Sequence, residues 1–149
     1  MKQNSLGTVD FLYAPNTKVE NGACRFTMKH LGALIPVRIT LEEAATVTEL
    51  SLTSSDTPFI LKGNVDLTAD PVTITSEETT QSVSLSLGDS NGISLNAGET
   101  TFFMLIAPVD MTGNTIQLEL KNGDDVIVSS EISGENYKAG KAYLVEVNE

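Results

Sequence analysis

The chain has 149 residues, the size of one domain with a single core, and carries 20 acidic against 9 basic side chains for a net charge of −11. Its Lys and Arg residues are scattered, so nothing in it tracks a phosphate backbone, and no run approaches the roughly 18 to 20 apolar residues of a membrane-spanning helix. A single cysteine, Cys24, excludes an intrachain disulfide and a multi-cysteine zinc site, and leaves burial to hold the fold together.

The elements follow in chain order. In "VDFLYA", Val9 to Ala14, Phe11 and Tyr13 share one face as packing residues, and Asp10 is placed to accept backbone hydrogen bonds at a strand edge. "RFTMKHLGALIPVRIT", Arg25 to Thr40, reads as the first long strand: Phe26, His30 and Leu31 set its register, and Gly32 and Pro36 mark a bend or a sheet edge. Only "LEEAAT", Leu41 to Thr46, has a helical pattern, and it is long enough for one turn. "ATVTELSLT" (Ala45 to Thr53), "PVTITS" (Pro71 to Ser76), "SVSLSL" (Ser82 to Leu87) and "TIQLEL" (Thr115 to Leu120) alternate apolar with polar, which predicts half-buried strands.

"TTFFMLIAPV", Thr100 to Val109, is apolar without alternation. It predicts a strand covered on both faces, with Phe102, Phe103, Met104, Leu105 and Ile106 as candidates for a groove or interface. Between these runs stand "SSDTP", "LTADP", "GDSNG" and "DMTGN", all turn chemistry. "LKNGDDVIV" predicts a tight hairpin in which Asn122 and Gly123 both take positive φ. At the end, Gly140 in "AGK" turns the chain into "AYLVEV", with Tyr143 and Val145 on one face and Leu144 and Glu146 on the other. About eight or nine short strands without helices imply an all-β, two-sheet sandwich.

His30 is the sole histidine and the only side chain suited to acid–base chemistry near neutral pH. No Gly-x-Ser-x-Gly pattern accompanies it and no second His or Cys could share a metal, so packing or hydrogen bonding is its expected role. The pairs Glu42-Glu43, Glu77-Glu78 and Asp124-Asp125 sit beside turn residues, where neighbouring carboxylates point to opposite faces and are solvated. "GDSNGISLNAGE" lacks the alternating acidic ligands of a twelve-residue calcium loop. Neither a cofactor nor a metal is expected. Two other classes remain as alternatives. A carbohydrate-binding sandwich would need exposed aromatic rings, of which the chain has three Tyr and no Trp to offer, and a sandwich-scaffold hydrolase would need convergent titratable groups.

Three stretches, in order, resemble the fimbrillin family of Bacteroides-type bacteria, the Mfa-like pilus and cell-surface adhesion proteins. Asp10, Phe11, Leu12, Tyr13 and Ala14 match an Asp-apolar-apolar-Tyr/Trp-Ala segment; Phe26, His30 and Leu31 match Phe-x-x-x-His-x-Leu in its Phe-to-His step; Tyr137, Ala139, Gly140, Lys141 and Tyr143 match a Tyr-x-Ala-Gly-Lys-x-Tyr turn before the last strand. The resemblance implies transthyretin-like Greek-key sandwich domains in a cell-surface, outer-membrane or fimbrial location. It also implies a division into residues 1–21, a linker or the remnant of a preceding domain, and residues 22–149, the C-terminal domain. The partners it implies are other pilus subunits or the preceding domain, met through protein–protein contacts that include strand exchange, together with host or bacterial surface ligands. No nucleic acid is among them.

Overall fold

The computed structural model describes residues 2–3, 11–15, 17–89 and 91–149, and every regular element among them is a strand. In chain order these are β1 Lys2–Gln3, β2 Leu12–Tyr13, β3 Lys29–His30, β4 Ala33–Leu41, β5 Ala45–Val47, β6 Glu49–Ser54, β7 Phe59–Asp66 and β8 Thr73–Thr80. There follow β9 Ser82–Ser86, β10 Ile93–Leu95, β11 Gly98–Ile106, β12 Val109–Asp110, β13 Thr115–Asn122, β14 Asp125–Ser133, β15 Asn136–Tyr137 and β16 Val145–Asn148.

Two layers carry the core. One is a five-stranded sheet in the order β1-β9-β6-β13-β14, the other a three-stranded sheet in the order β11-β4-β16. Strict alternation builds the inner face of β4: Ala33, Ile35, Val37, Ile39 and Leu41 are at most 2% exposed. Antiparallel register brings Phe102, Met104 and Ile106 of β11 beside Val37, Ile35 and Ala33. From the opposite layer, Leu118 and Leu120 of β13 stand beside Leu52 and Leu50 of β6. These side chains join one apolar cluster spanning both sheets, which is what makes the fold a sandwich.

Several local expectations change. "LEEAAT" forms no helical turn; Glu42 and Glu43 make a bend instead, because three residues of helix cannot offset their nucleation cost where strands stand on both sides. "ATVTELSLT" divides at Thr48, whose N–H donates to the Lys121 carbonyl (2.7 Å) and whose carbonyl accepts from Leu87 (2.8 Å). β5 then pairs with β10, and β6 joins the five-stranded sheet. The hairpin turn is one residue later than its sequence suggests: Asn122 pairs with Asp125, so Gly123 and Asp124 form the loop, and of these four residues only Gly123 has positive φ (60°). A bulge between Leu120 and Lys121 in the register of this pair accompanies the shift.

Gly32 does bend the chain, but ahead of the long strand: β3 and β4 are separate elements, and Phe26 lies outside both. Pro36 stands inside β4, the central strand of its sheet, rather than at an edge or bend. Leu34 bonds toward the last strand through both its N–H and its carbonyl; the next N–H on that edge of β4 would be that of residue 36, which as a proline has none. The ladder is interrupted there, between the Leu34–Ala142 bridge and the first β16 pair, Val145 with Val37.

Candidate contact surface

The outer face of β11-β4-β16 changes character along its length. At one end Thr101 pairs with Arg38 and Arg38 with Glu146; the Arg38 guanidinium lies 2.8 Å from Glu146 and 3.5 Å from Glu99. The next row toward β3 is Phe103 beside Pro36, with Leu144 opposite by the same register, and then Leu105, Leu34 and Ala142. Phe103 is 46% and Leu144 52% exposed, so this half of the sheet shows water an apolar row where an ordinary outer face would alternate to polar.

Of the five groove candidates in β11, Phe102, Met104 and Ile106 point into the core, and Phe103 and Leu105 lie on the outer face. Coverage on both faces thus reaches Leu105, which is 8% exposed, but not Phe103. Leu105 lies across Gly32: a Cβ built on that glycine would come within 2.8 Å of the Leu105 Cγ. On either side of this contact opens a cleft. One, of about 200 Å³, is lined by Phe11, Leu31, Ile60 and Ile74; the other, of about 250 Å³, by His30, Leu34, Lys141 and Ala142.

Far apart in sequence, the three family-like stretches meet here. Leu12 pairs with His30 and Tyr13 with Lys29, and the Leu31 N–H donates to the Phe11 carbonyl (2.8 Å). Gly140 donates to the Gly32 carbonyl (2.8 Å), and the Lys141 carbonyl accepts from Leu34 (2.9 Å). Gly140 sits at φ 69°, a left-handed conformation that other residues adopt at a cost. Tyr137 is buried and meets Tyr143 edge-to-face, ring centroids 4.9 Å apart, and burial pushes the Tyr137 hydroxyl pKa up. The Tyr143 hydroxyl accepts from the Lys138 N–H (2.8 Å) and donates to the Asn136 carbonyl (2.7 Å), closing the turn that carries Ala139 and Gly140.

Other motif residues stand apart. Ala14 follows β2 half-buried; Phe11, Leu12 and Phe26 are 68%, 52% and 64% exposed; Asp10 lies outside the described residues. His30 is exposed and held through its backbone pair with Leu12. Among the described residues, no group of three or more His, Cys, Asp or Glu is placed to hold a metal ion. The outward placement of Leu144 was legible in the alternation of "AYLVEV"; that of Pro36 was not, because a proline is a poor strand former by composition alone.

A second feature is the open side of the sandwich. β14 and β16 are the edge strands of their sheets on that side, and between them lies a cleft of about 540 Å³ lined by Ile132, Tyr137, Tyr143 and Val145 among others.

Fold and surface together define an all-β sandwich with an apolar outer patch. The chain belongs to the fimbrillin-like family, whose sequence profile matches residues 1–148. A solved structure of a candidate cell adhesion protein from Bacteroides ovatus has a similar fold, with a TM-score of 0.57 and 21% identity over 83% of this chain. That alignment covers 41% of the Bacteroides ovatus chain, so the present sequence spans less than half the length of that protein. A search of curated proteins returns no match.

Proposed function

We propose that the chain is a non-enzymatic component of a cell-surface adhesion or fimbrial assembly, at the outer membrane or in the fimbrium, acting through protein–protein contacts. The observation that carries this reading is the apolar row of Phe103, Pro36 and Leu144, contiguous across three neighbouring segments of one sheet face, in a chain of net charge −11. Family membership supports the same class of role. The partners are other pilus subunits or a preceding domain of a longer protein, and surface ligands of host or bacterium. A photo-crosslinking residue at position 103, in the protein displayed on its own cells, is expected to join it to a fimbrial subunit or a preceding domain, identified by mass spectrometry. Phe103→Asp is expected to lower adhesion or fimbrial yield at least about tenfold, as loss of a central aromatic anchor does. Absence of any crosslink to such partners on intact cells would overturn the reading.

Strand addition is the finer form of this proposal. An extended segment of a neighbouring subunit would lie along the open side, drawing backbone hydrogen bonds from β14 and β16 and placing alternate side chains in the cleft between them. Its support is the two edges flanking a cleft of mixed lining, in which Ile132, Leu144 and Val145 stand among Ser133, Glu135 and Glu146. The boundary at residues 21 and 22 is part of the same proposal. Asn21 (φ 53°) and Gly22 (φ 74°) turn the chain back within the Glu20–Ala23 bridge, a natural joint between a linker and a domain. β1 nonetheless docks on β9, so the linker would be partly anchored.

A further inference from the structure

We propose that the pocket between the β2–β3 ladder and the tip of the β7–β8 hairpin binds one neutral pyranose ring of a glycan. It measures about 210 Å³ and is lined by Tyr13, Pro15 and Lys29 on one side and by residues 67–72, including Thr68 and Asp70, on the other. Tyr13 and Lys29 are direct cross-strand partners, which puts their side chains next to each other on one face of the ladder. The hairpin tip is held in shape from within: Asp66 Oδ1 accepts from both the N–H and the hydroxyl of Thr68.

Three features select the ligand class. Tyr13 is half-buried and offers an aromatic surface to the C–H face of a sugar. Lys29 supplies donors and Asp70 acceptors for hydroxyls that need both. Neither of these two side chains, nor the Tyr13 hydroxyl, makes a hydrogen bond or ion pair with another described residue. Lys29 and Asp70 also cancel in formal charge, so the pocket has no net charge to draw in an anion or a cation, while both side chains remain able to bond an uncharged polyol. Tyr137 and Tyr143 are unavailable for this role, being packed on each other, with the Tyr143 hydroxyl already committed to the chain. This site is distinct in place and chemistry from the apolar sheet face, and either can fail without the other.

The test is titration of the whole chain with the methyl glycosides of glucose, galactose, mannose and N-acetylglucosamine, followed by amide NMR. At least one should move resonances at Tyr13, Lys29 and residues 67–72. Tyr13→Ala should weaken binding about tenfold and Asp70→Asn about fivefold, since each removes one contact of the kind described. Tyr13→Phe, which keeps the ring, should stay within about twofold on the same reasoning. Asp56→Asn, an equal charge change on another loop, should leave binding unchanged. If Tyr13→Ala fails to fold, Asp70→Asn decides alone. No saccharide response, binding that survives both substitutions, or occupation by a zwitterionic amino acid in preference to every glycoside would overturn the proposal.

Discussion

Tyr143 shows how one side chain makes a sequence motif into a structural joint. Its ring packs edge-on against buried Tyr137, while its hydroxyl bonds to two backbone groups that flank Tyr137, at Lys138 and Asn136. Tyr143→Phe keeps the ring contact and leaves the Lys138 N–H and the Asn136 carbonyl without that partner. The expected cost is about 1 to 2 kcal/mol, read as a lower midpoint in urea unfolding at unchanged slope. An unchanged midpoint would mean that water replaces the hydroxyl without loss. The sequence displayed the motif "YKAGKAY" but not this division of labour, because nothing in spacing tells a packing tyrosine from one that bonds back to its own turn. The same limit hid the pairing of Tyr13 with Lys29, which depends on which two short segments meet.

At the scale of elements, turn chemistry was the most legible signal and its detail the least. "LTADP" and "DMTGN" were both readable as turns, and an Asp-x-Thr step opens each, from the last residue of the preceding strand: Asp66 of β7 with Thr68, Asp110 of β12 with Thr112. The threonine hydroxyl first, and then its N–H, hold each carboxyl below the usual aspartate pKa. A depressed folded-state value contributes stability that is fully present above the unfolded aspartate value. It disappears as the pH falls through the lowered value, so these turns loosen only in acid. Carboxyl NMR titration should place both groups below an unstructured aspartate, and Thr68→Val and Thr112→Val should each return their partner toward it. Strands with alternation were legible for the same reason that they are stable, one face being buried. Pro36 and Thr48 were not, since each owes its place to backbone partners from distant segments: the last strand in one case, Lys121 and Leu87 in the other.

Across the whole molecule, the composition, the alternation and the three motifs carried the fold class and the family, and parts of all three motifs, at Phe11 to Tyr13, His30 and Leu31, and Gly140 and Lys141, meet at one end of the three-stranded sheet. What composition could not carry was which apolar side chains face out, because "TTFFMLIAPV" gives no alternation to divide Phe103 from its neighbours. The arrangement of that sheet also sets an order of events. β4 is closed on one side by β11 and on the other by β16, which runs parallel to it, so its two neighbours are supplied by residues 98–106 and by the stretch from Ala142 to Asn148. A chain emerging from a ribosome or an export channel therefore carries its most apolar strand with an open edge until nearly all of the sandwich has appeared. Chains ended after residues 95, 110 and 135 should all be cut rapidly within Ala33–Leu41 by a nonspecific protease, and protection should arrive only with β16. If the protein is exported, as its proposed location requires, this lateness is an asset: a sandwich that cannot close before β16 is released remains thin enough to be threaded.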